Sequence, residues 1–207
     1  MSELLPPTRW ALGGAKNPAY GDNFADLLAK GADVVGEGRL ADAMVGRAAR
    51  ILDAGSGMGR IGGYLQAQGH QVTAVEPDPV LVEQSRRTYP ELPVVPLEIL
   101  QLTPEALTAA GRPTSYDLIV CVGNVIVFVA EDTEVAVLER LGSLLAPGGR
   151  IMVGFHLVGG PSSARSYSLE EFAADVAAAG LRVEHRFGGY DLRPADDQYA
   201  VWILARP

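Results

Sequence analysis

Up to about residue 48 the apolar positions recur at helical spacing, and from residue 50 short apolar runs alternate with helical stretches. Behind a proline-rich start, Tyr20, Phe24, Leu27 and Leu28 form one helical stripe after Asp22 and Asn23, residue types that cap helices. Leu40, Met44 and Ala48 mark a second helical face. The run RILDA, residues 50–54, is apolar and closed by glycines, so it reads as a buried strand. A helix from about Met58 to Gln68 follows, with Gly69 placed to end it. Next come a strand in QVTAVEP and a helix capped by Asp78 with Pro79 in its first turn. PVVPL is a short strand, and YDLIVCVGNVIVFV a longer one that overruns into a loop near Gly123 and Asn124.

Val135, Leu138, Leu141 and Leu145 lie on one helical stripe that APGG stops, and RIMVGFHL is the next strand. Ser168 and Glu171 make a capping box for a helix that buries Phe172, Val176 and Ala179 and ends at Gly180. LRVEHRF and YAVWILA read as two strands joined by a polar loop. Alternation of strand and helix from Ile51 to about Leu157 predicts a parallel sheet covered on both faces. The last two strands have no helix between them, so they pair antiparallel. The expectation is one α/β domain over residues 1–207: a doubly wound, Rossmann-like sheet (49–207) with a helical N-terminal extension (1–48) and an antiparallel edge.

With 48% apolar residues, 207 residues can bury one core. A net charge of −8 disfavours a nucleic-acid partner, which needs clustered Lys and Arg. The one cysteine, Cys121, sits in an apolar run and reads as a buried thiol. No basic-then-apolar leader opens the sequence and no apolar run reaches the roughly 18 residues that span a bilayer, so a cytoplasmic, membrane-free protein is expected. His70 and His185 lack ligand spacing to each other or to cysteine, so no metal site is expected.

The chemistry concentrates in ILDAGSGMGRIGG. Gly57, Gly59 and Gly62 spell G-x-G-x-x-G, the dinucleotide fingerprint, but in that fold the first glycine directly follows the strand. Here that residue is Gly55. The frame that fits is D-x-G-x-G-x-G: Asp53, Gly55, Gly57, Gly59. This loop resembles the first motif of class I S-adenosylmethionine (SAM)-dependent methyltransferases. VTAVEPDP is similar to their acidic second-strand motif, YDLIVCVGNV to their fourth-strand motif, LLAPGGRIMV to their turn into the fifth strand, and YSLEEFAADVAAAGLRV to their last helix and sixth strand. The resemblance runs from about residue 36 to the end. It implies a seven-stranded sheet with an antiparallel last strand, SAM as cofactor, and S-adenosylhomocysteine (SAH) as product.

For that cofactor, Gly55, Gly57 and Gly59 supply bare backbone beside the methionine portion, and Asp53 at the strand tip can orient the ammonium directly or through water. Glu76, with Pro77 after it, stands near the roughly 20-residue spacing at which an acid meets a ribose, and two carboxylate oxygens match two vicinal hydroxyls. The resemblance further implies Glu98 and Ile99 at the adenine, Asn124 bordering cofactor and acceptor, Val125 walling the sulfonium, and Tyr20 covering the cofactor. Glu98 departs from the family's usual Asp. His156, past the fifth strand, points toward the carboxyl-edge crevice and is the candidate general base, with Asn124 beside it in the catalytic set. Trp10 and Tyr167 are further lid candidates. The N-terminal helices and the segment from Val158 to Tyr167 are expected to build the acceptor pocket. The reading is methyl transfer to a small organic acceptor; an NAD-dependent oxidoreductase and a non-catalytic SAM-binding module are the alternatives.

Overall fold

The computed structural model describes residues 5–13, 23–24, 26–27, 29–160 and 163–207. Seven strands form one sheet: β1 (Arg50–Ala54), β2 (Gln71–Val75), β3 (Val94–Val95), β4 (Tyr116–Cys121), β5 (Leu145–His156), β6 (Arg182–Phe187) and β7 (Tyr199–Ala205). Their order is β3-β2-β1-β4-β5-β7-β6. The first five are mutually parallel, and β7 runs antiparallel to both β5 and β6. Helices α1 (Arg9–Gly13), α2 (Gly36–Ala43), α3 (Arg60–Ala67), α4 (Pro79–Thr88), α5 (Pro104–Ala109), α6 (Glu134–Ser143) and α7 (Leu169–Ala178) flank or connect them, together with 3-10 turns at Ile99–Gln101 and Val125–Phe128.

Strand periodicity divides the core between the two faces of the sheet. Leu52, Ala54, Ile119, Cys121, Ile151, Val153 and Phe155 face α6 and α7, in one cluster with Leu138, Leu141, Phe172 and Val176. Their neighbours Ile51, Leu118, Val120 and Met152 face α2 and α3, with Leu40, Ile61 and Leu65. Local signals set the helix starts. The Asp78 side chain accepts from the Val80 N–H, and the Ser168–Glu171 capping box closes in both directions. Gly69 and Gly180 end their helices at φ of 90° and 68°.

Several boundaries differ from the sequence expectation. α2 stops at Ala43, and Ala48 lies outside it in a left-handed turn at φ 54°. Leu145 is not on the α6 stripe; it opens β5 by pairing with Tyr116, so β5 takes in the APGG segment expected to lie in a turn. Residues Val125–Phe128 close into a 3-10 turn, and a helix forms at Pro104–Ala109 that the apolar pattern did not announce. In the N-terminal extension Asn23, Phe24 and Leu27 are helical, but Leu27 is 41% exposed and is not core. Tyr20, Asp22 and Leu28 lie outside the described residues.

Candidate active site

The sheet order reverses between β1 and β4, and a crevice opens there along the carboxyl edge, where ligands bind in such sheets. Its floor is the loop after β1. Gly55, Gly57 and Gly59 all have positive φ, at 78°, 56° and 85°, a region costly for residues with a Cβ. The Gly55 and Ser56 N–H groups both donate to the Val75 carbonyl at 2.9 Å, which folds the loop back over β2. A Cβ on Gly55 would stand 2.6 Å from both γ-carbons of Val125, so the space glycine leaves is filled by the neighbouring wall. One on Gly59 would strike Ser85 Oγ and come within 3.0 Å of Leu92. Gly55 and Gly57 therefore line the cleft, whereas Gly59 lets α4 pack close.

Two buried acids sit under this loop. Glu76 Oε2 accepts from the Gly57 N–H and Oε1 from the Asp78 N–H, each at 2.9 Å. Each oxygen keeps a second lone pair, and Glu76 lines the cleft. Asp53 points the other way. Its Oδ2 accepts from the Gly62 N–H at 2.8 Å in the first turn of α3, and it is not part of the cleft wall. Burial pushes both carboxyls up to about 7, against the backbone hydrogen bonds that favour their ionised forms.

The cleft holds about 790 Å³, open mouth included, and its walls are mostly apolar. At one end stand Glu98, Ile99 and Leu100; at the other, Gly123, Val125 and Phe128; Pro77 and Leu81 lie between. Burial raises the Glu98 carboxyl above its usual range. The chain's beginning closes over this space. Thr8 bridges to Ala130 as an isolated antiparallel pair, and Trp10 stands edge-on to Phe128 with centroids 5.4 Å apart. Arg9 and Arg165 both reach the buried Glu134 carboxylate, at 2.9 and 2.8 Å, which ties the N-terminal strap and the loop before α7 to the start of α6.

Asn124 and His156 lie just outside the cleft lining, side by side at the tips of β4 and β5. His156 is the last residue of β5 rather than beyond it, and it is exposed. Tyr167 is core, not lid: it is 1% exposed, stacks on Phe155 and donates to Asp175. Tyr20 falls outside the described residues. The sequence reading missed Thr8, Phe128 and Val137 in the cleft wall. Of these only Phe128 left a trace, as part of the apolar run after Asn124.

A family model described as a methyltransferase domain matches residues 52–151, from β1 into β5. A TehB-like SAM-dependent methyltransferase from Corynebacterium glutamicum is 35% identical over 92% of this chain and 100% of its own, with a TM-score of 0.79. The chain belongs to the class I SAM-dependent methyltransferase family. More distant methyltransferases share the fold. CcbJ from Streptomyces caelestis is 17% identical, covering 82% of this chain and 89% of its own at a TM-score of 0.70. A 1,6-didemethyltoxoflavin-N1-methyltransferase from Burkholderia thailandensis is 22% identical, covering 100% and 92% at 0.61. No curated protein sequence matches the chain. The glycine loop of this methyltransferase thus belongs to the frame that opens at Gly55, and the nicotinamide reading gives way. Among the described residues no helix is long and apolar enough to cross a membrane.

Proposed function

We propose that this methyltransferase transfers a methyl group in line from SAM to a small organic acceptor, as one domain over residues 1–207. The observation that carries the reading is Glu76: a buried carboxylate at the second strand's end, preset by two backbone N–H groups, with a lone pair on each oxygen left for a sugar diol. Around it the cleft chemistry fits a cationic nucleoside. Ile99 and Leu100 offer an apolar slot for adenine beside Glu98, Pro77 flanks the sugar, and the bare backbone of Gly55 and Gly57 meets the methionine portion. Val125 and the Gly123–Asn124 turn border the sulfonium. Asp53 acts at one remove, fixing the first turn of the helix behind the loop through Gly62. Trp10 covers the cleft, and Tyr20 is proposed as a further cover.

When bound, SAM supplies an electrophilic methyl carbon whose C–S bond breaks with its electron pair left on sulfur. The protein's own task is alignment, and positioning of that kind can remove on the order of 7–11 kcal/mol from a barrier. An acceptor that must lose a proton needs a base as well, and His156, one strand outward from the Gly123–Asn124 turn, is the candidate. A net charge of −8 supports a small molecule over a nucleic acid as acceptor.

Thermal melting tests the cofactor half of this reading, because a ligand that binds the native state raises the midpoint. SAH is expected to raise it in a saturable manner and NADH to leave it unmoved; the reverse pattern sinks the proposal. SAH stabilisation without transfer to any acceptor in a panel of phenols, amines and thiols would leave a binding module.

A further inference from the structure

The sheet lays out the pieces of the site in order along its carboxyl edge. Glu98 follows β3, Glu76 follows β2, Gly55 and Gly57 follow β1, and Gly123 and Asn124 follow β4. The next strand outward is β5, which ends in His156; beyond it β7 begins at Tyr199, His156's partner in register. The Tyr199 ring stands edge-on to the imidazole at 4.7 Å. A donor lying from the β3 side to the β4 side leaves the β5 tip as the place for the acceptor.

Two contacts settle which nitrogen of His156 carries the proton. A backbone N–H can only donate, so the Asn124 atom 2.9 Å from the His156 N–H is the amide oxygen. That same oxygen lies 3.0 Å from His156 Nδ1. An amide oxygen has no proton to give, so Nδ1 must donate, and in the neutral ring the lone pair then sits on Nε2. Asn124 is itself held in place. Its backbone takes the left-handed conformation at φ 77°, and its N–H donates to the Gly154 carbonyl at 3.0 Å. Asn124 and the Tyr199 ring stand against the imidazole, with the Tyr190 hydroxyl 2.9 Å from that of Tyr199.

We infer that Asn124 is a positioning residue that holds His156 as the Nδ1–H tautomer, so that Nε2 takes a proton from the methyl acceptor, a protic O–H or N–H compound. The inference rests on the methyl-transfer reading above. As the acceptor's oxygen or nitrogen bonds to the methyl carbon, its proton passes to Nε2, the C–S pair stays on sulfur, and the imidazolium returns the proton to water.

The test is long-range ¹H–¹⁵N NMR of the histidine rings at about pH 9, where imidazole is neutral, with His156→Gln assigning the signal. The wild-type ring is expected as Nδ1–H with an unprotonated Nε2. Asn124→Gly, which deletes the amide oxygen yet accepts the positive φ, should shift the ring toward the Nε2–H form that free histidine prefers. Asn124→Asp, which restores an acceptor oxygen, should shift it back. An Nε2–H ring in the wild type, or a tautomer that ignores Asn124→Gly, overturns the inference. SAH melting on the same samples reports the cofactor reading separately, so the two can fail independently. Transfer confined to tertiary amines and thioethers, which carry no proton to lose, would also overturn it.

Discussion

The Trp10 indole N–H donates to Asp78 Oδ2 at 2.8 Å, joining residues 68 apart in sequence from the β4 side of the cleft to the β2 side. Asp78 also caps α4 through its other oxygen, so the strap is anchored to a helix start that already holds its shape. Trp10→Phe keeps an aromatic ring against Phe128 and removes the donor to Asp78. A hydrogen bond to a charged group contributes about 1.5–3 kcal/mol, and a half-buried one belongs at the low end. The variant should therefore bind SAH roughly tenfold more weakly, mainly through faster dissociation, as stopped-flow displacement would show. An unchanged off-rate would mean that the strap plays no part in retaining the cofactor.

Glu76 has two tasks in this geometry, holding the loop and meeting the sugar. Glu76→Ala leaves the Gly57 and Asp78 N–H groups without their acceptor, at about 1–3 kcal/mol for each that stays buried, so the midpoint of thermal unfolding should fall. Calorimetry on the folded protein at low temperature should find SAH affinity reduced by roughly ten- to a thousandfold, one to two charge-assisted bonds' worth. Native affinity in that variant would remove Glu76 from the site.

The raised carboxyls of Asp53 and Glu76 carry a pH signature of definite sign. Burial lifts both to about 7, above the 3.8 and 4.5 they revert to on unfolding. Between those limits the native state binds more protons than the unfolded one, so stability falls as pH rises from about 4.5 to about 7. Carboxyls held low by arginine partners, such as Asp117 and Glu134, titrate below that window and do not oppose the trend within it. Free protein should melt clearly higher at pH 5.5 than at pH 8, each 1 kcal/mol moving the midpoint by about 2–4 °C in a domain of this size. SAH affinity should change in the opposite direction, because the sugar hydroxyls bond best to the ionised Glu76. Glu76→Gln should flatten most of the affinity trend but remove only Glu76's share of the stability trend, Asp53's share remaining.

How much of this was legible beforehand depended on the range of the signal. The caps at Asp78–Pro79 and Ser168–Glu171 act within three residues, and the sequence reading placed both helix starts correctly. The same kind of signal, Thr103 with Pro104 behind it, opens α5 but passed unnoticed, because a six-residue helix burying only Leu107 has no apolar period to detect. Strand ends were readable on β1, which Gly55 closes, and on β2, where Glu76 breaks the apolar run. They were unreadable at Leu145, where pairing with Tyr116 decides between helix and strand. Tyr167 reads as a lid candidate from its place in the sequence, whereas Phe155 on β5 and Phe172 on α7 enclose it in the core. The anchoring of Trp10 on Asp78 and the joint hold of Arg9 and Arg165 on Glu134 are products of the fold alone. Nothing within a few residues of any of them encodes the partner.

Gly55 and Val125 offer the sharpest remaining test, because the loop glycine has two separable reasons to be glycine. One is its φ of 78° and the other is the pair of Val125 γ-carbons, 2.6 Å from where a Cβ would stand. Gly55→Ala should cost about 1–2 kcal/mol from the backbone conformation and a further 1–3 or so from overpacking. Val125→Ala removes both γ-carbons. In the double variant most of the overpacking share should go, the Val125 Cβ staying 3.2 Å from the new methyl, and the conformational share remain, giving a favourable coupling of about 1–3 kcal/mol in a double-mutant cycle of chemical denaturation. Additive losses would show that Val125 yields freely, and that conformation alone dictates glycine at the tip of β1. A coupling that appears in stability and equally in SAH affinity would instead mark Val125 as the wall that fixes how deeply the cofactor sits.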